Sequence, residues 1–289
     1  MRYSFYPGCS MEGTAIAYRK SLLAAAWALG LYLEEIPDWN CCGATVAPGV
    51  AGSYVRQVLA ARNLALAGSR GLDVLVGCSS CYLALAGANR RFQAHGPFRV
   101  LANEALAEGG LKYEGNLRVR QVLEVMAHDV GLGKVRDRVR QPLAGLRVAG
   151  YVGCQTVRAV PGSFDDPENP LFLEQLIEAL GATAVPFPAK VRCCGGSRVA
   201  VAPGDALHYA ANILETAAGA GADLVITPCP MCQFNLEVNQ LQINRCGGSF
   251  NLPVLFYTQL ICVAFGLAPT AAGLKHCLLS PYPALSGFA

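Results

Sequence analysis

Leu72-Asp73-Val74-Leu75-Val76-Gly77-Cys78-Ser79-Ser80-Cys81 is a short apolar, β-prone run that ends directly on a Cys-x-x-Cys pair. Ala222-Asp223-Leu224-Val225-Ile226-Thr227-Pro228-Cys229-Pro230-Met231-Cys232 repeats that design in the second half of the chain. Helix-like stretches around 54–67 and 206–218 precede the two runs, and another helical stretch follows each. Short apolar strands alternating with helices predict an α/β body with mainly parallel sheets, in which the cysteines fall at strand ends and helix starts. Sites in such folds lie at those strand ends.

Working outward, the whole pattern is present twice. Phe5-Tyr6-Pro7-Gly8-Cys9, then Cys41-Cys42-Gly43, precede the first Cys-x-x-Cys; Gly150-Tyr151-Val152-Gly153-Cys154, then Cys193-Cys194-Gly195, precede the second. The copies stand 145 residues apart at Cys9 and Cys154, 152 at Cys41 and Cys193, and 151 at Cys78 and Cys229. Gly30 and Gly181, each after an Ala-Leu, read as glycines closing equivalent helices. The expected organisation is two pseudo-symmetric cysteine-rich halves, 1–141 and 142–289, each with a small mainly parallel sheet flanked by helices. Residues 97–141 form a structured connector, in which the period of Val119, Leu123, Met126 and Val130 predicts one amphipathic helix. Its basic residues, Lys112, Arg118, Arg120, Lys134, Arg136, Arg138 and Arg140, read as a solvated face, with a docking surface for an acidic partner as the other reading.

The 289 residues are 53% hydrophobic and 15% charged, which supplies a core and excludes a mainly disordered chain. A net charge of +3 without a basic block argues against nucleic acid as a partner. The apolar run Leu22–Leu33 follows Arg19 and Lys20 but ends in Glu34-Glu35 without a small-residue cleavage site, so it reads as a core helix. The stretch Leu252–Ala268 is broken by Pro253 and Gln259 and reads as a strand, Pro253–Tyr257, followed by a buried helix. These features argue against membrane contact and for a cytoplasmic protein whose thiols stay reduced, where clustered cysteines bind metal or carry redox chemistry.

Ten of the thirteen cysteines form two sets of five: Cys9, Cys41, Cys42, Cys78 and Cys81; and Cys154, Cys193, Cys194, Cys229 and Cys232. One tetrahedral zinc would leave a cysteine of each five without a task, whereas an iron–sulfur cluster can employ more thiolates. A thioredoxin-like dithiol would use only the Cys-x-x-Cys pairs. Iron–sulfur is therefore favoured, with zinc as the lesser alternative. Gly43, Gly195 and Gly196 are placed to let backbone N–H groups approach sulfur without a Cβ in the way. Cys246, Cys262 and Cys277 read as buried structural thiols. Gly-x-Gly-x-x-Gly, Walker-type and Gly-x-Ser-x-Gly sequences are absent, and His95, His128, His208 and His276 stand apart as surface or capping residues.

The repeated Cys-x31-Cys-Cys-Gly-x34-Cys-x-x-Cys, with x38 and x33 in the second copy, resembles the cysteine-rich CCG domain. Flanking residues are similar to the B subunit of heterodisulfide reductases: Tyr6-Pro7-Gly8-Cys9-Ser10, Ile36-Pro37-Asp38-Trp39-Asn40, Phe164-Asp165-Asp166-Pro167-Glu168-Asn169-Pro170 and Leu255-Phe256-Tyr257-Thr258-Gln259-Leu260. The resemblance implies that each five-cysteine set binds a noncubane [4Fe-4S] cluster. It also implies that a small disulfide or protein-bound sulfur substrate is reduced, or formed in reverse, between the two clusters. Implied partners are a ferredoxin-like, C-type iron–sulfur subunit and a flavoprotein subunit. CCG domains also occur in quinone-linked succinate/fumarate and hydroxy-acid oxidoreductases, where the subunit transfers electrons. A zinc-stabilised scaffold is the non-enzymatic alternative.

Overall fold

The computed structural model describes residues 1–44, 52–158 and 164–288. The first half contains β1 (Arg2–Tyr6), α1 (Ile16–Ala28), β2 (Tyr32–Glu35), α2 (Gly52–Gly68), β3 (Val74–Val76), α3 (Ser79–Ala94), α4 (Gly96–Ala107) and β4 (Val119–Gln121). Its sheet has the order β2-β1-β3-β4, with every pair parallel; Ser4 stands opposite Val74, and Val74 opposite Val119. Two short helices follow, α5 (Val122–Val125) and α6 (Leu132–Arg136). The second half repeats the plan with β5 (Arg147–Gly150), α7 (Cys154–Val157), α8 (Phe172–Ala179), β6 (Thr183–Ala184), α9 (Pro203–Gly219), β7 (Leu224–Thr227), α10 (Pro230–Arg245) and β8 (Val254–Phe256). Its sheet has the equivalent order β6-β5-β7-β8, again all parallel. Helices α11 (Tyr257–Ala264) and α12 (Pro269–Ala272) close the chain. The fold is α/β with the same topology built twice.

Every residue of β3 and β7 is buried, as expected of central parallel strands covered on both faces, which is why they read as unbroken apolar runs; edge strand β8 is buried as well. In each sheet the crossovers leave the two central strands in opposite directions. A crevice therefore opens at the C-terminal ends of β1 and β3 in one sheet, and of β5 and β7 in the other. Gly30 and Gly181 adopt φ of +76° and +83° just past α1 and α8, the left-handed closure read from the sequence.

The compact units do not follow the repeat boundary. One comprises residues 1–9 and 30–125; the other comprises 10–29 and 126–289. Helix α1, encoded in the first half, thus packs in the second unit. There Tyr18 stacks on Phe256 at 4.3 Å, Ser21 Oγ lies 2.7 Å from Thr258 Oγ1, and the Cys262 thiol faces the Ser21 carbonyl at 3.4 Å.

The structure corrects two expectations. The single amphipathic helix through Val119, Leu123, Met126 and Val130 is instead a strand, the short α5 and a π-turn, because Val119 is taken up by the sheet opposite Val74. The basic face there is correspondingly smaller, since Arg120 is buried and paired with Glu124 at 2.7 Å. Of the three spare cysteines only Cys262 is buried. Cys246 lies exposed at the solvent end of α10, and Cys277 is half-buried in the C-terminal segment.

Candidate metal centres

Each crevice receives its cysteines from three segments. In the first unit Cys9 follows β1, Cys41 and Cys42 follow β2, and Cys78 ends the turn out of β3 as the residue before α3. Cys41 Sγ stands 3.8 Å from Cys9 Sγ, and Cys42 Sγ stands 3.3 Å from Cys81 Sγ. In the second unit Cys154 opens α7 after β5, Cys193 and Cys194 follow β6, and Cys229 precedes α10. Cys194 Sγ is 3.5 Å from Cys232 Sγ, and Cys193 is hydrogen-bonded to Cys154. Cys78 and Cys229 sit at the positive N-terminal ends of sixteen-residue helices.

Backbone N–H groups are aimed at the sulfurs. Gly43 N donates to Cys41 Sγ at 3.5 Å, Gly195 N to Cys193 Sγ at 3.4 Å, and Gly196 N to Cys194 Sγ at 3.3 Å. Space is equally specific. A Cβ on Gly8 would lie 2.9 Å from Cys81 Sγ, one on Gly153 3.3 Å from Cys232 Sγ, and one on Gly195 2.7 Å from Ala206 Cα on α9. All three glycines also have positive φ, so no other residue fits without strain.

Two tyrosines that the sequence reading passed over complete each wall. Tyr6 OH donates to Asn40 O at 2.8 Å and Tyr151 OH donates to Arg192 O at 2.6 Å, in both cases fixing the residue just before the adjacent cysteine pair. Their recurrence at Tyr-x-Gly-Cys in both copies is the signal that marks them. Buried Asn63 on α2 grips Asn40 from both sides, accepting from its N and donating to its O at 2.9 Å each. Asn235 on α10 donates to Cys194 O at 2.5 Å.

The electrostatics are those of thiols too crowded to ionise together. Hydrogen bonds from Cys41 and Cys81 pull Cys42 down to about 3, while the same contact pushes Cys41 up. In the second set the bond from Cys154 lowers Cys193 to about 6, and Cys154 rises in return. Burial, reinforced by the charge of neighbouring sulfurs, holds Tyr6 and Tyr151 in the neutral phenol form. A cationic group that accepts several thiolates relieves this crowding by replacing the shared protons.

The donor set fits an iron–sulfur group: five thiols and no competing oxygen or nitrogen ligand in each set, N–H groups turned to sulfur, and glycine cradles that a Cβ would fill. Among the described residues no three His, Cys, Asp or Glu side chains are gathered to hold one metal ion. Of the histidines, His95 caps α4 by accepting from Phe98 N at 3.0 Å, and His208 is exposed on α9. No helix among the described residues is long and apolar enough to cross a membrane.

A family model for the CCG cysteine-rich domain matches residues 3–86 and 148–237. The chain is 37% identical over 276 residues, 95% of each chain, to the 8-methylmenaquinol:fumarate reductase membrane anchor subunit of Wolinella succinogenes. It is 30% identical over 283 residues to the B subunit of the ferredoxin/F420H2-dependent CoB-CoM heterodisulfide reductase of Methanosarcina acetivorans, covering 95% of this chain and 93% of that one. An Archaeoglobus profundus protein, described as like the B subunit of heterodisulfide reductase, is 31% identical over 278 residues, 93% of this chain and 92% of that one. The crystal structure of a hypothetical protein from Helicobacter pylori shares the fold, with a TM-score of 0.77 at 16% identity, over 96% of this chain and 52% of that one.

Proposed function

Because this chain belongs to the cysteine-rich CCG domain family and carries the domain twice, we propose that it is an iron–sulfur redox subunit of a multi-subunit reductase that acts on a sulfur–sulfur bond. On this reading each five-cysteine set holds one noncubane [4Fe-4S] cluster. Cys9, Cys41, Cys42, Cys78 and Cys81 hold the first; Cys154, Cys193, Cys194, Cys229 and Cys232 hold the second. The observation that supports the proposal is that, in both units, three segments bring cysteines to the crevice at a strand switch point, with glycine N–H groups directed at their sulfurs.

Bound clusters would supply electrons singly at low potential. The chain's own residues do the rest. Cysteines from three segments fix each group, glycine amides offset its negative charge, and buried Tyr6 and Tyr151 hold the adjacent cysteine pairs in place. Reducing a disulfide takes two electrons and two protons and releases two thiols, so two one-electron sites match the stoichiometry. Relatives named as reductase subunits support partners in a multi-subunit complex; on this reading those partners are a ferredoxin-like iron–sulfur subunit and a flavoprotein, and the complex is cytoplasmic.

A second reading, electron transfer in a quinone-linked fumarate or succinate oxidoreductase, is favoured by the 37% identity to the fumarate reductase subunit. The test begins with iron, acid-labile sulfide and zinc in protein purified without oxygen. About eight irons and eight sulfides per chain support the proposal; colourless protein with stoichiometric zinc replaces it with a scaffold. Loaded protein that, with its donor, turns over no disulfide but reduces a quinone moves the assignment to the second reading.

A further inference from the structure

The repeat makes each cysteine pair a control for the other. Cys41-Cys42 and Cys193-Cys194 follow equivalent edge strands, β2 and β6. Each pair is preceded by a carbonyl that accepts from a buried tyrosine, Tyr6 in one unit and Tyr151 in the other. Backbone N–H groups of the next two residues then donate to the two sulfurs: Gly43 and Ala44 in the first set, Gly195 and Gly196 in the second.

Charge is where the two surroundings part. In register, 152 residues apart, Glu35 matches Phe187, Asp38 matches Lys190, Asn40 matches Arg192 and Val46 matches Arg198. Val46 lies outside the described residues and is compared by sequence alone. Residues 35–46 carry two acidic side chains and no basic one, whereas residues 187–198 carry three basic side chains and no acidic one. Neighbours in space cancel part of this, since Arg62 pairs with Asp38, and Glu174 with Lys190 at 2.7 Å. The remainder sits at the second pair. Arg192, the peptide neighbour of Cys193, meets no carboxylate among the described residues, and its guanidinium donates to the neutral Asn212 Oδ1. Arg198 shares its charge with Asp205 at 2.6 Å. That charge nevertheless reaches the cysteines: the hydrogen bond from Cys154 first, then the Gly195 amide and the Arg198 guanidinium, bring Cys193 down to about 6 against the effect of burial. The shifts of Cys41 and Cys42 come from neighbouring sulfurs, burial and backbone N–H groups.

An iron–sulfur group becomes more negative by one charge with each electron it accepts, so a nearby cation favours the reduced form and raises the potential. We propose that Arg192 and Arg198 make the second site the one of higher reduction potential, so that the first electron from a donor settles on the group held by Cys154, Cys193, Cys194, Cys229 and Cys232. No bond forms or breaks in this step; the donor loses one electron and the group gains it. The inference rests on the iron–sulfur reading above. It adds the order in which the two sites fill and the residues that set that order.

The test is a redox titration of the iron-loaded full chain with dithionite, free of oxygen, followed by electron paramagnetic resonance and visible absorption, which needs no turnover. Two one-electron transitions are expected, at least about 59 mV apart, which is tenfold in the ratio of reduced to oxidised group. Arg192→Gln and Arg198→Gln should each lower the upper transition and leave the lower one in place. Asp205→Asn, which releases Arg198 from its partner, should raise the upper transition. The opposite signs separate an effect of charge from damage to the fold, and Asp205→Asn and Arg198→Gln still decide if Arg192→Gln takes up no iron. Coincident transitions in the wild type overturn the proposal. So do variants that leave both transitions unmoved, that move the lower one instead, or that all shift the upper one in the same direction. Wild-type protein that takes up zinc and no iron defeats the iron–sulfur reading itself, so the two failures are distinguishable.

Discussion

Gly8 lies so close to Cys81 that a Cβ added to the glycine would stand 2.9 Å from the cysteine's Sγ, at a φ of +73° that side chains avoid. The equivalent pair, Gly153 and Cys232, leaves 3.3 Å. Gly8→Ala should therefore displace Cys81 and remove the first cluster, lowering iron per chain by about half on the two-cluster reading. Gly153→Ala should reduce the second less severely. Metal analysis of the two variants checks the order; an unaltered iron content in Gly8→Ala would show that the cradle is not filled as described.

Tyr6 and Tyr151 make the same hydrogen bond in the two units, but their acceptors are not equally dependent on it. Asn40 O keeps a second donor, Asn63 Nδ2, whereas Tyr151 OH is the short 2.6 Å donor to Arg192 O. Tyr6→Phe should cost about 1 kcal/mol and Tyr151→Phe about 2 kcal/mol, because the part-buried carbonyl of Arg192 loses its short donor whereas that of Asn40 keeps Asn63. Urea denaturation under exclusion of oxygen measures both. Equal losses would place the support of the two loops elsewhere.

These contrasts mark where sequence reading was strong and where it stopped. The strands at 74–76 and 224–227, the closing glycines Gly30 and Gly181, and the placing of cysteines after strands and at helix starts were legible, because period, turn chemistry and repetition all pointed one way. Val119 misled because an apolar residue at helical spacing is equally at home in a three-residue buried strand, and only its partner Val74 decides. The docking of α1 in the second unit was invisible, since its Ala-rich sequence fits many apolar surfaces and the choice is made by Tyr18 on Phe256 and Ser21 on Thr258. The roles of Gly8 and Gly153 have no sequence signature, as close approach to a sulfur 73 or 79 residues away leaves no local trace.

Helix α1 predicts that the sequence halves do not separate. A fragment of residues 142–289 lacks α1 and would expose the faces of Phe256, Thr258 and Cys262 that α1 covers. It should be insoluble or molten, while the fragment supplemented with residues 10–29 through a linker should show a cooperative melt. In the full chain, Tyr18→Ala should destabilise by about 3–5 kcal/mol, the usual cost of deleting a buried aromatic ring. Cys262→Ser, in the same contact, should leave iron content unchanged. A cooperative melt of 142–289 alone would contradict the placement of α1.

Glu237 supplies a pH dependence of stability. It is buried on α10, receives Gln233 Nε2 at 2.7 Å, Leu278 N at 3.2 Å and Val254 N at 3.4 Å, and so ties the C-terminal segment and β8 to the helix that carries Cys232. Burial raises its carboxyl to about 7, against 4.5 for the unfolded chain, although the surrounding donors pull the other way. Between those values the folded protein binds more protons than the unfolded one. The group's contribution is therefore complete below about pH 4.5 and is lost as pH rises through about 7. At most a few kcal/mol are at stake. Wild-type protein should lose stability from pH 5.5 to 8 relative to Glu237→Gln, whose side chain does not ionise; parallel denaturation midpoints for the two proteins across that range would rule the dependence out.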